Sequence, residues 1–185
     1  MLEVEMKFPA ADFAALEQQL AAAAPQTPAS FQEEDHYFNA PDRDFARTDE
    51  ALRLRRIGTR NFVTYKGPKR DAQTKTRTEL EIPLTKGPEA AAQFTQLLKY
   101  LHYRPVATVR KRRRIFQLER DGFPLEVCLD EVEGLGHFAE LEIQAPEEQL
   151  DKARDVLLRT AAALGISTSE RRSYLELLLE RRPKS

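Results

Sequence analysis

Residues 1–8 read Met1-Leu2-Glu3-Val4-Glu5-Met6-Lys7-Phe8, and the alternation in them decides the fold. Leu2, Val4, Met6 and Phe8 fall on one side of an extended chain, and Glu3, Glu5 and Lys7 on the other. That is the period-2 pattern of a strand with one apolar and one polar face. The polar face carries two acids and then a base in single file. Carboxylates two residues apart on a strand stand about 7 Å apart, within reach of one hard divalent cation. Alone, E-x-E-x-K is a weak signal; its weight comes from the same grammar recurring down the chain.

Working outward, Asp12 to Ala24 reads as a helix with Phe13, Leu16 and Leu20 on one stripe, ended by Pro25 and Pro28. Phe31 to Phe38 is extended, and Arg43 to Thr48 forms a helical turn. Ala51 to Ile57 alternates Arg53 and Arg55 against Leu52 and Leu54, and Phe62 to Lys66 returns as a hairpin. After a polar loop, Lys75 to Leu84 puts Lys75, Arg77, Glu79 and Glu81 on one face and Leu80 and Ile82 on the other. Pro88 to Leu101 is a helix. Val106 to Leu118 is a long strand, and Asp121-Gly122 turns it into Phe123 to Asp130. Phe138 to Gln144 alternates Glu140 and Glu142 with Leu141 and Ile143. Helices over Pro146 to Leu164 and Glu170 to Glu180 close the chain. About eight antiparallel strands with interspersed helices make an α+β fold, and no repeat or linker divides residues 1–185, so one domain is expected.

The charged faces carry the functional information. Like charges sit at i and i+2 in Glu3/Glu5, Arg53/Arg55, Lys75/Arg77, Glu79/Glu81 and Glu140/Glu142. Any one such strand reads most simply as a solvated face. Like charges on one face repel unless opposite charges stand across from them, so together the strands suggest faces that look at one another. A closed eight-stranded antiparallel barrel, apolar outside under its helices and charged inside, would allow this. A charged interior is expensive unless a ligand neutralises it. Lys7, Arg53, Arg55, Lys66, Lys75, Arg77, Lys111 and Arg113 call for a polyanion. Glu3, Glu5, Asp130, Glu140 and Glu142 call for a divalent metal. A polyphosphate carrying Mg²⁺ or Mn²⁺ satisfies both sets.

Composition sets bounds. A net charge of −1 with 32% charged residues argues against a general nucleic-acid binder. One cysteine, Cys128, excludes an internal disulfide framework and suits a reducing cytoplasm. No signal peptide and no membrane-spanning run are visible. The expected partner is a small-molecule triphosphate, with no nucleic acid and no membrane; whether the chain forms a homodimer stays open.

The motifs E-V-E-M-K, A-L-R-L-R, T-Y-K-G-P, K-T-R-T-E-L-E, L-D-E-V-E-G-L-G-H-F-A-E-L-E and S-Y-L-E-L-L, in that order, resemble the CYTH superfamily, the triphosphate tunnel metalloenzymes. That family includes class IV adenylyl cyclases, thiamine triphosphatases and inorganic triphosphatases. The resemblance implies an eight-stranded tunnel with the triphosphate inside, and metal held by Glu3, Glu5, Glu140 and Glu142 with Asp130 assisting. It implies a phosphate path along Lys7, Arg53, Arg55, Lys66, Lys75, Arg77, Lys111 and Arg113. In Arg110 to Arg114 alternation permits either Lys111 and Arg113 inward or Arg110, Arg112 and Arg114; family spacing selects the former. Glu5, Glu140 and Lys7 are the catalytic candidates, with Lys7 or another tunnel lysine of depressed pKa as general base. Glu79 and Glu81 are expected as counter-charges, and Tyr174 as an anchor for the last helix. His102, His137 and Cys128 stand apart from any ligand spacing. Hydrolysis of a triphosphate is the first functional expectation. Cyclisation of ATP to cyclic AMP and pyrophosphate is the second, and a non-catalytic polyphosphate- or nucleotide-binding module the third.

Overall fold

The computed structural model describes residues 2–69 and 77–181. In chain order the elements are β1 (Leu2–Pro9), α1 (Phe13–Ala23), β2 (Ala29–Asn39), α2 (Phe45–Thr48), β3 (Ala51–Ile57), β4 (Arg60–Lys66) and β5 (Glu79–Leu84). There follow α3 (Pro88–Tyr100), β6 (Arg104–Arg120), β7 (Phe123–Val132), β8 (Gly136–Ala145), α4 (Leu150–Ala163) after a single 3₁₀ turn, and α5 (Tyr174–Glu180). The eight strands form one antiparallel sheet in the order β1-β8-β7-β6-β2-β3-β4-β5. The sheet curls until its two ends meet, and an isolated bridge between Glu3 and Arg77 spans the seam.

Alternation within the strands sorts the side chains as the opening octapeptide does. Val4, Met6 and Phe8 of β1 join Phe116, Leu125, Val127, Leu129, Leu141 and Ile143 on the outer face. Leu16 and Leu20 of α1 and Val156 and Leu157 of α4 cover them. Fully burying side chains of this size contributes about 1.5–3 kcal/mol each, so the apolar outside of the barrel is its main core. A second core lies under α3, where Ala91 and Leu98 meet Phe38 and Leu54. The β6–β7 turn is Asp121-Gly122, both with positive φ (52° and 80°), the conformation that suits the twist of a two-residue hairpin.

Two of the boundaries that differ from the sequence expectation bear on the site. The final helix starts at Tyr174 rather than Glu170: the Glu170 amide donates to the Lys7 carbonyl at 2.6 Å, and residues 170–173 stay outside the helix with a bend at Arg172. Ser173 then starts the helix through a reciprocal capping box with Glu176. The fifth strand starts at Glu79, with Arg77 alone bridged to Glu3; Lys75 lies outside the described residues. In Arg110 to Arg114, Lys111 and Arg113 point inward and are buried. Arg110 reaches Glu34 and Arg114 reaches Glu17 on the outside.

Candidate functional site: a charged tunnel

The inner faces enclose a cavity of about 570 Å³, within the roughly 300–1,000 Å³ of small-molecule sites. Glu3, Glu5, Glu140, Glu142, Arg53, Arg55, Lys66, Arg77, Lys111 and Arg113 all line it. Two expected residues lie behind the lining instead. Lys7 is 1% exposed; its ammonium donates to the Arg172 carbonyl and sits 4.0 Å from the centroid of the Tyr174 ring. Asp130 is fully buried and accepts both arms of the Arg113 guanidinium (2.7 and 2.6 Å), the Lys111 ammonium (3.3 Å) and the Tyr174 hydroxyl (2.9 Å). Asp130 spends these hydrogen bonds on organising the basic wall. Tyr174 is thus an anchor, as expected, but one that ties α5 to the site.

The cavity has two electrostatic poles. At the acidic pole, strand register lines up Gln117, Glu126, Glu142 and Glu5 across β6, β7, β8 and β1. Glu3 stands one inward position along from Glu5. Burial raises the Glu142 carboxyl above its ordinary range, and the neighbouring Glu5 and Glu126 carboxylates add to it. Glu3 is likewise pushed well up by burial, with Glu142, Glu79 and Glu5 adding to the push against Lys66. Glu126 went unnoticed in the sequence, although E-V-C-L-D places it four residues before Asp130 and hence on the same face.

At the basic wall the acids are matched. Burial opposes ionisation of Asp35, yet the Arg53 and Arg55 guanidiniums hold its carboxyl far below the usual range. Arg55 forks onto Asp35 at 2.7 and 2.8 Å. Glu33 is brought down to about 2 in spite of burial, by Lys111, Arg113 and Arg55. Glu33 was missed in the sequence; it is the i−2 neighbour of Asp35 within the extended Phe31–Phe38 stretch. Lys66 joins the poles, 3.2 Å from Glu3 and 2.5 Å from Glu79. Glu79 also faces Arg53 at 3.9 Å and so acts as a counter-charge, as expected, whereas the partner of Glu81 is the neutral Thr64 hydroxyl. Against the pull of burial, Glu3 and Glu79 hold Lys66 charged, and Asp130 and Glu33 do the same for Lys111, so neither has the depressed pKa expected of a base.

Among the described residues no three His, Cys, Asp or Glu side chains stand together at metal-holding distance. The donor set nevertheless suits a divalent ion. Its oxygens are hard ligands, and a bound cation would offset the burial and like charge that oppose ionisation of Glu142. Glu3, Glu5, Glu126 and Glu142 are the residues that could hold one, with Glu140, paired to Arg113, at the border of the two poles.

A model of the CYTH domain matches residues 1–174. The chain is 39% identical over 180 residues to the putative adenylate cyclase MJ0240 of Methanocaldococcus jannaschii, covering 96% of this chain and 98% of that one. It is 34% identical over 181 residues to adenylate cyclase CyaB of Aeromonas hydrophila, covering 95% and 87%. The solved structure of PH1819 from Pyrococcus horikoshii superposes with a TM-score of 0.86 at 37% identity, over 97% of this chain and 99% of that one. Fold alone is shared with HpAC1 of Hippeastrum, a putative adenylyl cyclase with a dominant triphosphatase activity (TM-score 0.70, 15% identity, 99% and 97% covered). The ordered motifs, the curled eight-stranded sheet with its charged lining and these likenesses agree: the chain belongs to the CYTH family.

Proposed function

We propose that the chain is a divalent-metal-dependent triphosphatase. The observation that carries this reading is the opposition, inside one cavity, of a row of carboxylates whose ionisation burial and like-charged neighbours oppose at Glu3 and Glu142 and a wall of guanidinium and ammonium groups. Arg53, Arg55, Arg77, Lys111 and Arg113 offer forks and point charges to phosphate oxygens. Glu3, Glu5, Glu126 and Glu142 would hold the ion, Mg²⁺ or Mn²⁺, which when bound polarises the phosphoryl oxygens and activates water. Asp130, Glu33 and Asp35 keep the cationic side chains aimed at the cavity, so the charge that develops on the phosphates meets donors already in place. Lys66 and Lys111, held charged, serve as phosphate ligands and not as proton acceptors. Water attacking the terminal phosphorus would release orthophosphate.

A second reading, cyclisation of ATP, is favoured by the names of the relatives at 39% and 34% identity. In it the ribose 3′-oxygen attacks the α-phosphorus and pyrophosphate departs. The dominant triphosphatase activity of HpAC1 supports hydrolysis on this fold. The test is a product assay with inorganic triphosphate, thiamine triphosphate and ATP, each with Mg²⁺ and with Mn²⁺. Orthophosphate without cyclic AMP is the expected outcome. Cyclic AMP with pyrophosphate would replace it by the cyclase, and binding without turnover would leave a triphosphate-binding module.

A further inference from the structure

Carboxylates inside the tunnel are held in two different ways. On the basic wall each acid takes cationic partners: Asp35 takes Arg53 and Arg55, Glu33 takes Lys111 and Arg55, and Asp130 takes Arg113 and Lys111. In the acid row the hydrogen-bond partners of Glu126 and Glu142 are neutral. The Gln117 side-chain amide donates to Glu126 Oε2 at 2.6 Å, and the Cys128 thiol, a weak donor, to Glu126 Oε1 at 3.4 Å. The Gln144 side-chain amide donates to Glu142 Oε1 at 3.1 Å.

Strand register builds this arrangement. Gln117 stands directly across from Glu126, and Glu126 directly across from Glu142. Gln144 follows Glu142 by two residues on the same inner face, lines the cavity, and stands across from Glu3. The two glutamines therefore bracket the Glu126–Glu142 pair, one at the end of the row and one beside it.

A glutamate side chain is long and its carboxylate sweeps a wide volume unless a neighbour fixes it. Carboxylates that ligate a metal are themselves hydrogen-bonded for this reason, and losing such an outer partner costs about 10–100-fold in metal affinity. A lysine or arginine would fix the carboxylate as well as an amide does, but its charge would compete with the ion. An amide fixes the group and leaves its charge available. At Glu142 it also occupies one oxygen and leaves the other, Oε2, to the ion.

We propose that Gln117 and Gln144 are positioning residues for the divalent ion: they orient Glu126 and Glu142 by hydrogen bonds that do not spend the carboxylate charge. The proposal rests on the metal-dependent reading above and deepens it by naming what sets the affinity of the acid pole.

The test is a Mn²⁺ titration of the full chain without substrate. Bound ion is read from the loss of the electron paramagnetic resonance signal of free Mn²⁺, and the Tm of the metal-free chain is recorded alongside. Gln117→Leu and Gln144→Leu remove the donors at similar volume. Each should weaken Mn²⁺ binding about ten-fold, the low end of the range because both glutamines are exposed. The metal-free Tm should move by no more than about 2 °C, as for other surface substitutions. Gln144→Lys separates orientation from charge: it keeps a donor beside Glu142 but brings a cation, so it too should weaken Mn²⁺ binding about ten-fold. Leucine variants that bind Mn²⁺ as the parent does would overturn the proposal, whether or not their Tm falls, since the amides would then serve the surface alone. A Gln144→Lys chain with parental affinity would overturn it as well, because neutrality would not matter. That variant decides the question even where a leucine variant folds poorly. A parent chain that takes up no Mn²⁺ would sink the metal reading and the proposal together, whereas a parent that binds alongside unaffected variants sinks the proposal alone.

Discussion

Glu33 and Glu142 line the same cavity, are both largely buried, and are displaced in opposite directions. Glu33 faces Lys111 and Arg55 at 3.2 and 3.1 Å and is brought down to about 2. Glu142 faces Glu5 and Glu126 across its two ladders and is raised. The difference teaches that a buried carboxylate belongs to the architecture when its counter-charges come from the chain. It belongs to the ligand when they must come from outside. The acids of the basic wall are matched by cations of the chain, whereas in the acid row burial and like-charged neighbours oppose ionisation of Glu142.

The strongest way to break that contrast is to remove an acid from each side. Asp130→Ala strands Arg113, Lys111 and the Tyr174 hydroxyl in a buried site, and breaking such a pair costs about 3–5 kcal/mol. Urea unfolding should show this loss with or without metal. Glu142→Gln should leave unfolding of the metal-free chain unchanged or slightly improved, because it removes a charge that burial and two neighbours oppose. Its turnover should fall on the order of 10²–10³-fold, and the rise in Tm that Mg²⁺ or Mn²⁺ gives the parent by mass action should vanish. A Glu142→Gln chain that unfolds early, or that keeps its metal-dependent Tm, would erase the distinction between the poles.

Acid titration sharpens it. Glu33 has a folded pKa below its unfolded value of 4.5, so its contribution is present above about pH 4.5 and is lost as pH falls through about 2. A shift of this size corresponds to roughly 3 kcal/mol, and Asp35, also depressed, acts in the same direction. Glu142 has the opposite sign: its contribution is present below the unfolded value and is lost as pH rises through its raised folded pKa. Stability measured against pH should therefore drop steeply in acid for the parent and less steeply for Glu33→Gln. The smallest effect concerns Lys66, which partners Glu3 where a cation would sit. Lys66→Met should tighten Mn²⁺ binding by about two- to five-fold, the range of a partly shielded ion pair, while weakening triphosphate binding. Weaker Mn²⁺ binding would mean that Lys66 supports the acid row and does not compete for it.

Much of this was legible beforehand because a strand's side chains alternate wherever no bulge interrupts it: once Glu3, Glu5, Arg53, Arg55, Glu140 and Glu142 share inner faces, the poles follow. Alternation says which face a residue occupies and nothing about depth. Lys7 and Asp130 lie on the correct face yet behind the lining, because Arg172 and Tyr174 come back from 165 and 44 residues away to engage them. The late start of α5 comes with a backbone bond between Glu170 and Lys7 that no local pattern encodes. Glu126 could have been read from Asp130 at i+4, and Glu33 from Asp35 at i+2. What hid them was the absence of a second like charge directly beside Glu126, and the position of Glu33 in the run Glu33-Glu34-Asp35, where acids occupy both faces.

The seam between β1 and β5 has a mechanical consequence. Every other junction in the ring is a full ladder, but here, among the described residues, the only backbone pairing is the bridge from Glu3 to Arg77, with side-chain links from Glu3 to Lys66 and Glu79. Such a ring behaves as a clasp. Local opening free energies within one protein run from near zero up to the global value, and the weakest joint opens first. Amide exchange should therefore be fastest along β5 and slowest in β7 and β8, and a cargo with a bulky end could load sideways through the parted clasp instead of threading the bore. Residence time on the protein would then follow the breathing of one edge strand, independently of how stable the whole fold is.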